Sequence, residues 1–63
     1  MINTLEAYED AGRRAARSIN QRDFGTAHFQ QNWAVCALQQ EAKADQPAAR
    51  LAYDKGYREE RKP

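Results

Sequence analysis

Leu5, Tyr8, Gly12, Ala15 and Ile19 recur at alternating steps of three and four residues, a spacing that lays one narrow apolar stripe along an α-helix. Glu6, Glu9, Asp10, Arg13, Arg14 and Arg17 fall on the opposite side. The pattern predicts a first helix over residues 4–20, with Asn3 as its N-cap and Glu6 three residues later, as in a capping box. Acidic residues occupy the first turns and arginines the last, which suits the helix dipole. The pairs Glu9–Arg13 and Asp10–Arg14 each add roughly 0.2–0.5 kcal/mol. Gly12 in mid-helix costs about 1 kcal/mol relative to alanine. With Ala11, Ala15 and Ala16 around it, the expected compensation is close approach of a second helix backbone at that point.

Asn20-Gln21-Arg22-Asp23 interrupts the pattern, and Asp23 is placed to cap a second helix by accepting from the Thr26 N–H. That helix is expected over residues 24–44. Phe24, Ala27, Val35, Leu38 and Ala42 share one side of it; Phe29, Trp33, Cys36, Ala37 and Ala44 share the other. Polar Gln30, Asn32, Gln39, Glu41 and Lys43 lie between. A helix apolar on two sides is expected to be buried between two partners. One is the first helix; the other is either the C-terminal segment or a second copy of the chain. Pro47 suits the first turn of a third helix, capped by Asp45 or Gln46 and spanning residues 47–58, with Leu51, Ala52, Tyr53 and Tyr57 as its apolar contacts. Gly56 should weaken the end of that helix, and residues 59–63 read as a charged flexible tail. Nothing reads as a strand, because β-branched residues are few and never alternate. The expected fold class is all-α: a helical hairpin of two longer helices plus a short C-terminal helix, in a single helical domain over residues 1–58.

Length changes what this architecture has to achieve. A chain of 63 residues buries only about 60% of the surface its unfolded form exposes, and a core of that size rarely supplies more than a few kcal/mol. Cys36 is the only cysteine, so no internal disulfide can form, and a lone thiol fits a reducing cytoplasm. One cysteine and one histidine do not seed a structural metal site. What is left is very good helix packing or self-association, and a homodimer is the expected oligomer. Ten basic residues against nine acidic give a net charge of +1, which is no electrostatic footprint for nucleic acid. The N-terminal residues lack the basic and apolar regions of a signal peptide. The longest apolar run, residues 33–38, falls far short of the ~20 residues a membrane span needs. The expected location is the cytoplasm.

Candidate chemistry is sparse. His28 and Cys36 lie eight residues apart on the second helix, about 12 Å along its axis, so they cannot meet as a dyad. Glu6, Glu9 and Asp10 have arginines one turn away and read as a solvated ion-pair face rather than as an acid–base pair. No catalytic, cofactor-binding or metal-binding residue is therefore expected. Arg13, Arg14, Arg17 and Arg22 form a basic patch that could contact phosphates; a small nucleic-acid-binding regulator is the alternative function. Phe29 and Trp33 are an i,i+4 aromatic pair of the kind that anchors interfaces, and with Tyr53 and Tyr57 they form the candidate interface.

Two segments carry a likeness: Met1-Ile2-Asn3-Thr4-Leu5-Glu6-Ala7-Tyr8-Glu9-Asp10 and Phe29-Gln30-Gln31-Asn32-Trp33. With them the whole chain, by length and overall likeness, resembles the short helical proteins encoded between the exonuclease and excisionase genes of lambda-like phages. The resemblance implies an early-expressed, non-enzymatic accessory protein that shifts infection between lysis and lysogeny. It would act in the bacterial cytoplasm by engaging host or phage proteins. It carries no functional residues across, so the candidate residues above rest on the helical pattern alone.

Overall fold

A computed structural model describes residues 1–61 and contains three helices: α1 (Leu5–Asn20), α2 (Phe24–Gln40) and α3 (Gln46–Glu60). The fold is all-α, with no strand among the described residues. At 15 residues α3 is the shortest, against 16 for α1 and 17 for α2.

The N-cap of α1 is Thr4 rather than the expected Asn3. The Thr4 hydroxyl accepts from Ala7 N at 3.1 Å. Asn3 is held elsewhere, because its backbone N–H donates to Glu41 Oε2 at 2.9 Å, and the cap falls on the next residue able to serve. At its other end α1 closes in a Schellman arrangement. Arg22 N donates to Ile19 O and Asp23 N to Ser18 O, with Arg22 in the left-handed region at φ 59°, where glycine usually stands. Asp23 then caps α2 as expected, accepting from Thr26 N at 3.1 Å.

α2 stops at Gln40, four residues short of the expected end at 44. Glu41 is extended, and its carboxylate is pulled across to the start of α1, accepting from Ile2 N at 2.7 Å, Asn3 N at 2.9 Å and the Tyr8 hydroxyl at 2.8 Å. These bonds outweigh the helix propensity of Ala42, Lys43 and Ala44, a tertiary override of local preference. α3 runs to Glu60, beyond the expected end at 58. Glu59 and Glu60 therefore belong to the helix rather than to a tail. Arg13 donates to Glu59 Oε2 at 2.9 Å, and the Asn20 side-chain amide donates to Glu60 O at 2.7 Å. Arg61 follows as the C-cap of α3, and Lys62 and Pro63, the last two residues of the expected tail, lie outside the described residues.

Tyr8 beside Trp33 and Asn20 beside Glu60 set the directions: α2 runs antiparallel to α1, and α3 runs parallel to it. α1 packs extensively on both, while α2 and α3 touch little. The body is flat, 33 × 20 × 13 Å. The helix held between two partners is thus α1, not α2. Its small residues explain this. Gly12 lies so close to α3 that an added Cβ would sit inside contact distance of the Tyr53 carbonyl and 2.9 Å from Tyr57 N. Gly56 does the same toward the Glu9 carbonyl, with Arg13 N at 3.2 Å. The close approach expected at Gly12 is present, but its partner is α3, and Gly56 is half of the crossing rather than a weak end. Tyr8, fully buried, packs with Ala37 of α2 and Ala49 of α3, with Trp33, Leu38, Ala52 and Tyr53 around them.

Candidate functional site

α2 turns Ala27, Ala34 and Ala37 inward. The two apolar sides legible in its sequence are the two shoulders of this single alanine stripe. Trp33 and Leu38 fold in from the shoulders to touch the core. Phe24, Phe29 and Val35 remain outside, with 63%, 67% and 47% of their surface exposed. Ile2, Leu5 and Leu51 are likewise exposed. Large apolar side chains therefore stand on the surface while alanines fill the interior.

Because α2 and α3 diverge on either side of α1, they wall a trough of about 390 Å³. Its floor holds Tyr8, Ala34 and Ala49; Val35 and Leu38 stand on the α2 wall and Tyr53 on the α3 wall, with Arg50 and Asp54 at the rim. The size lies in the range of ligand pockets, and the form is a groove open along its length between two helices. Burial first, and the charges of Tyr57 and Asp54 after it, push the Tyr53 hydroxyl above its ordinary pKa, so at neutral pH it stays protonated and can donate. Phe29 borders a separate recess of about 300 Å³ against α1, beside Asp10 and Arg14.

The four candidate interface residues thus divide. Trp33 is half-buried and packs on Tyr8 with ring centroids 5.6 Å apart, tilted by 46°. Phe29, one turn away, is exposed. Tyr53 and Tyr57 stack on each other at 6.4 Å, and only Tyr53 lines the trough. Of the basic patch, Arg13 bridges Glu9 and Glu59, Arg14 lies 3.0 Å from Asp10 and Arg17 lies 3.7 Å from Glu60. The hydrogen bond to Glu59, against some desolvation, holds the Arg13 guanidinium above its ordinary pKa. Arg22 sits exposed in the left-handed turn. A phosphate would have to displace carboxylates from three of the four.

Glu41 was not a candidate, yet it organises one end of the molecule. Burial alone would push its carboxyl up. The Asn3 and Ile2 amides, the Tyr8 hydroxyl and the N-terminal ammonium together bring it below its ordinary pKa. The available signal was that Glu41 is the first charged residue after Asp23. His28 and Cys36 are both exposed on α2. Among the described residues no group of three His, Cys, Asp or Glu side chains could hold a metal ion, and no helix is long and apolar enough to cross a membrane. No protein-family model matches the sequence, and neither curated proteins nor solved structures give a significant match.

Proposed function

We propose that this chain is a non-enzymatic interaction protein that binds another protein through the trough between α2 and α3. The observation that carries this reading is the inversion of its apolar side chains: alanines inside, large residues outside, next to an open apolar groove. An amphipathic helix is the ligand such a groove suits, its apolar face on Tyr8, Ala34 and Leu38 and its polar edge at Arg50 and Asp54. In the setting implied by the phage resemblance, the occupant is a host or phage protein in the bacterial cytoplasm, and its capture shifts infection between lysis and lysogeny.

The test pairs a fold check with a biological one. Gln31 and Arg50 are exposed on opposite walls, so Gln31→Glu with Arg50→Glu places charge over the apolar floor without touching the core. The double variant should keep its helical signal and lose the effect of the wild-type chain on the fraction of infected cells that become lysogens. Full retention of that effect by the folded variant would remove the trough from the mechanism.

A further inference from the structure

α1 and α3 are clamped together along their length. Gly12 and Gly56 let the two backbones touch. Arg13 donates to Glu59, the Asn20 side-chain amide to the Glu60 carbonyl and Arg61 to Asn20, while Arg17 lies 3.7 Å from Glu60. α2 is attached differently. Among the described residues, no side chain of Phe24–Gln40 makes a hydrogen bond or an ion pair with α1 or α3. Its inward residues, Ala27, Ala34 and Ala37, are small, and it barely meets α3. Two end fastenings hold it instead. One is the turn at residues 21–23, with Arg22 at φ 59°. The other is Glu41, the first residue past the helix, whose buried carboxylate accepts from Ile2 N, Asn3 N and the Tyr8 hydroxyl. Tyr8 is also on the floor of the trough, so fastening and trough share a side chain. A stiff helix fixed mainly at its ends moves as a body when one end is released, and a few residues at its other end absorb the change.

Taking the trough as the docking site, we propose that α2 is its movable wall: it swings about the turn at residues 21–23, and the bonds to Glu41 are the latch that holds it in place. The latched trough, about 390 Å³, takes side chains from one face of a helix. The helix itself is about 10–12 Å across, and seating it between the walls requires the α2 wall to move outward. The link to α3 permits this. Residues 41–45 turn back on themselves, with Asp45 N and Gln46 N both donating to Ala42 O, so the link has length to release. A helix of 17 residues is about 25 Å long, so a swing of about 15° carries its far end by about 6 Å. The displacement is graded, small beside the turn and largest at Gln40. The α1–α3 pair stays as it is.

The experiment reads distances between spin labels by double electron–electron resonance in the full chain carrying Cys36→Ser. Glu6, His28, Gln40 and Lys55 are exposed and outside the trough. Changed to cysteine two at a time, they give three pairs: 40 with 55 for the far end of α2, 28 with 55 for its hinge end, and 6 with 55 for α1 against α3. With Glu41 in place all three distributions should be narrow. Glu41→Gln should lengthen and broaden the 40–55 distance by several ångströms, the 28–55 distance by less, and leave 6–55 unchanged. Tyr8→Phe, which removes one of the three bonds, should act in the same direction and less. A 40–55 distance unaltered in a Glu41→Gln chain that stays helical by circular dichroism overturns the proposal. So do equal shifts in all three pairs, which mean general loosening, or equal shifts at 28 and 40, which mean detachment without a hinge. If Glu41→Gln does not fold, Tyr8→Phe carries the same outcomes; if neither stays helical, Glu41 is a pillar of the fold and the latch is refuted. The labels report on the chain without a partner, so failure here leaves capture in the trough standing, and failure of the Gln31 and Arg50 test leaves the swing standing.

Discussion

α1 meets its two neighbours in different ways. Toward α3 it presents Gly12, and α3 answers with Gly56, so backbone lies on backbone. Arg13 and Asn20 then tie the two helices along their length. Toward α2 the contact is an alanine stripe with one Tyr8–Trp33 pair, and Phe24, Phe29 and Val35 of α2 face away. The first interface tolerates almost no change of shape, and fixes the fold. The second is shallow, and it leaves an uncharged, partly apolar helix face for other uses. In a chain this small, a core of alanines and one tyrosine is sufficient only where backbones come this close.

The sharpest way to break the contrast is to add one methyl group. In Gly12→Ala or Gly56→Ala the new carbon collides with backbone, which cannot rotate away as a side chain would. The helix-propensity gain of about 1 kcal/mol is outweighed by overpacking of about 4 kcal/mol, above the usual range because the collision is with backbone. A net loss of about 3 kcal/mol is expected, and a fall in Tm of more than about 12 °C. Thermal melts within a few degrees of wild type would mean that the crossing is looser than described.

Next in size is the junction at Glu41, which belongs to the α2 side yet has long-range bonds. Tyr8→Phe keeps the ring and removes the only side-chain donor to that carboxylate among the hydrogen bonds described. A loss of about 1.5–3 kcal/mol is expected for a bond to a charged group, read by chemical denaturation. The same junction gives a pH dependence. The folded pKa of Glu41 lies below its ordinary 4.5, so its contribution is present above that pH and is lost as pH falls through the folded value. Asp23, lowered by its bonds to the Thr26 hydroxyl and amide, acts with the same sign. Glu41→Gln should therefore weaken the fold at neutral pH and flatten, without abolishing, the loss of stability on acidification. An undiminished acid dependence in Glu41→Gln would place the effect elsewhere.

A smaller change of opposite sign is expected where α1 passes into α2. Arg22 occupies a left-handed position that costs a non-glycine residue roughly 1–3 kcal/mol. Arg22→Gly relieves this, while its freer unfolded chain takes back roughly 0.4–1 kcal/mol. The net gain should be about 1 kcal/mol, seen as a rise in Tm of about 5 °C. A fall would show that the Arg22 side chain makes a stabilising contact.

How much of this was legible in the sequence follows from what periodicity can encode. The three helices, the Asp23 cap and the close approach at Gly12 are local signals and stand at the expected places. The ends of α2 and α3 were misplaced because Glu41 and Glu59 are held by residues more than thirty positions away, which no local pattern reports. The partner at Gly12 was misassigned because a glycine announces proximity without saying to what. Gly56 carried the answer, but a glycine near a helix end looks the same whether it terminates the helix or meets another. On α2, a stripe of alanines weighs less in a hydrophobic pattern than the phenylalanines beside it, so the shoulders stood out and the buried line between them did not. For the candidate site, this hid which of Phe29 and Trp33 faces water.

That pair gives the smallest expected effect and the finest test of the comparison. In sequence the two are equivalent aromatics one turn apart; in the structure Trp33 leans on Tyr8, whereas Phe29 keeps 67% of its surface in water. Phe29→Ser should change the stability of the dilute, monomeric chain by no more than about 0.5 kcal/mol, the range of surface substitutions. Trp33→Ala should cost several times that, because it opens a cavity beside the core. Denaturant titrations at one low concentration separate the two. Equal losses would mean that Phe29 is also core, and that the apolar side chains of α2 serve the fold alone. A near-silent Phe29→Ser that nevertheless weakens dimer formation at high concentration would assign that side chain to the surface between copies.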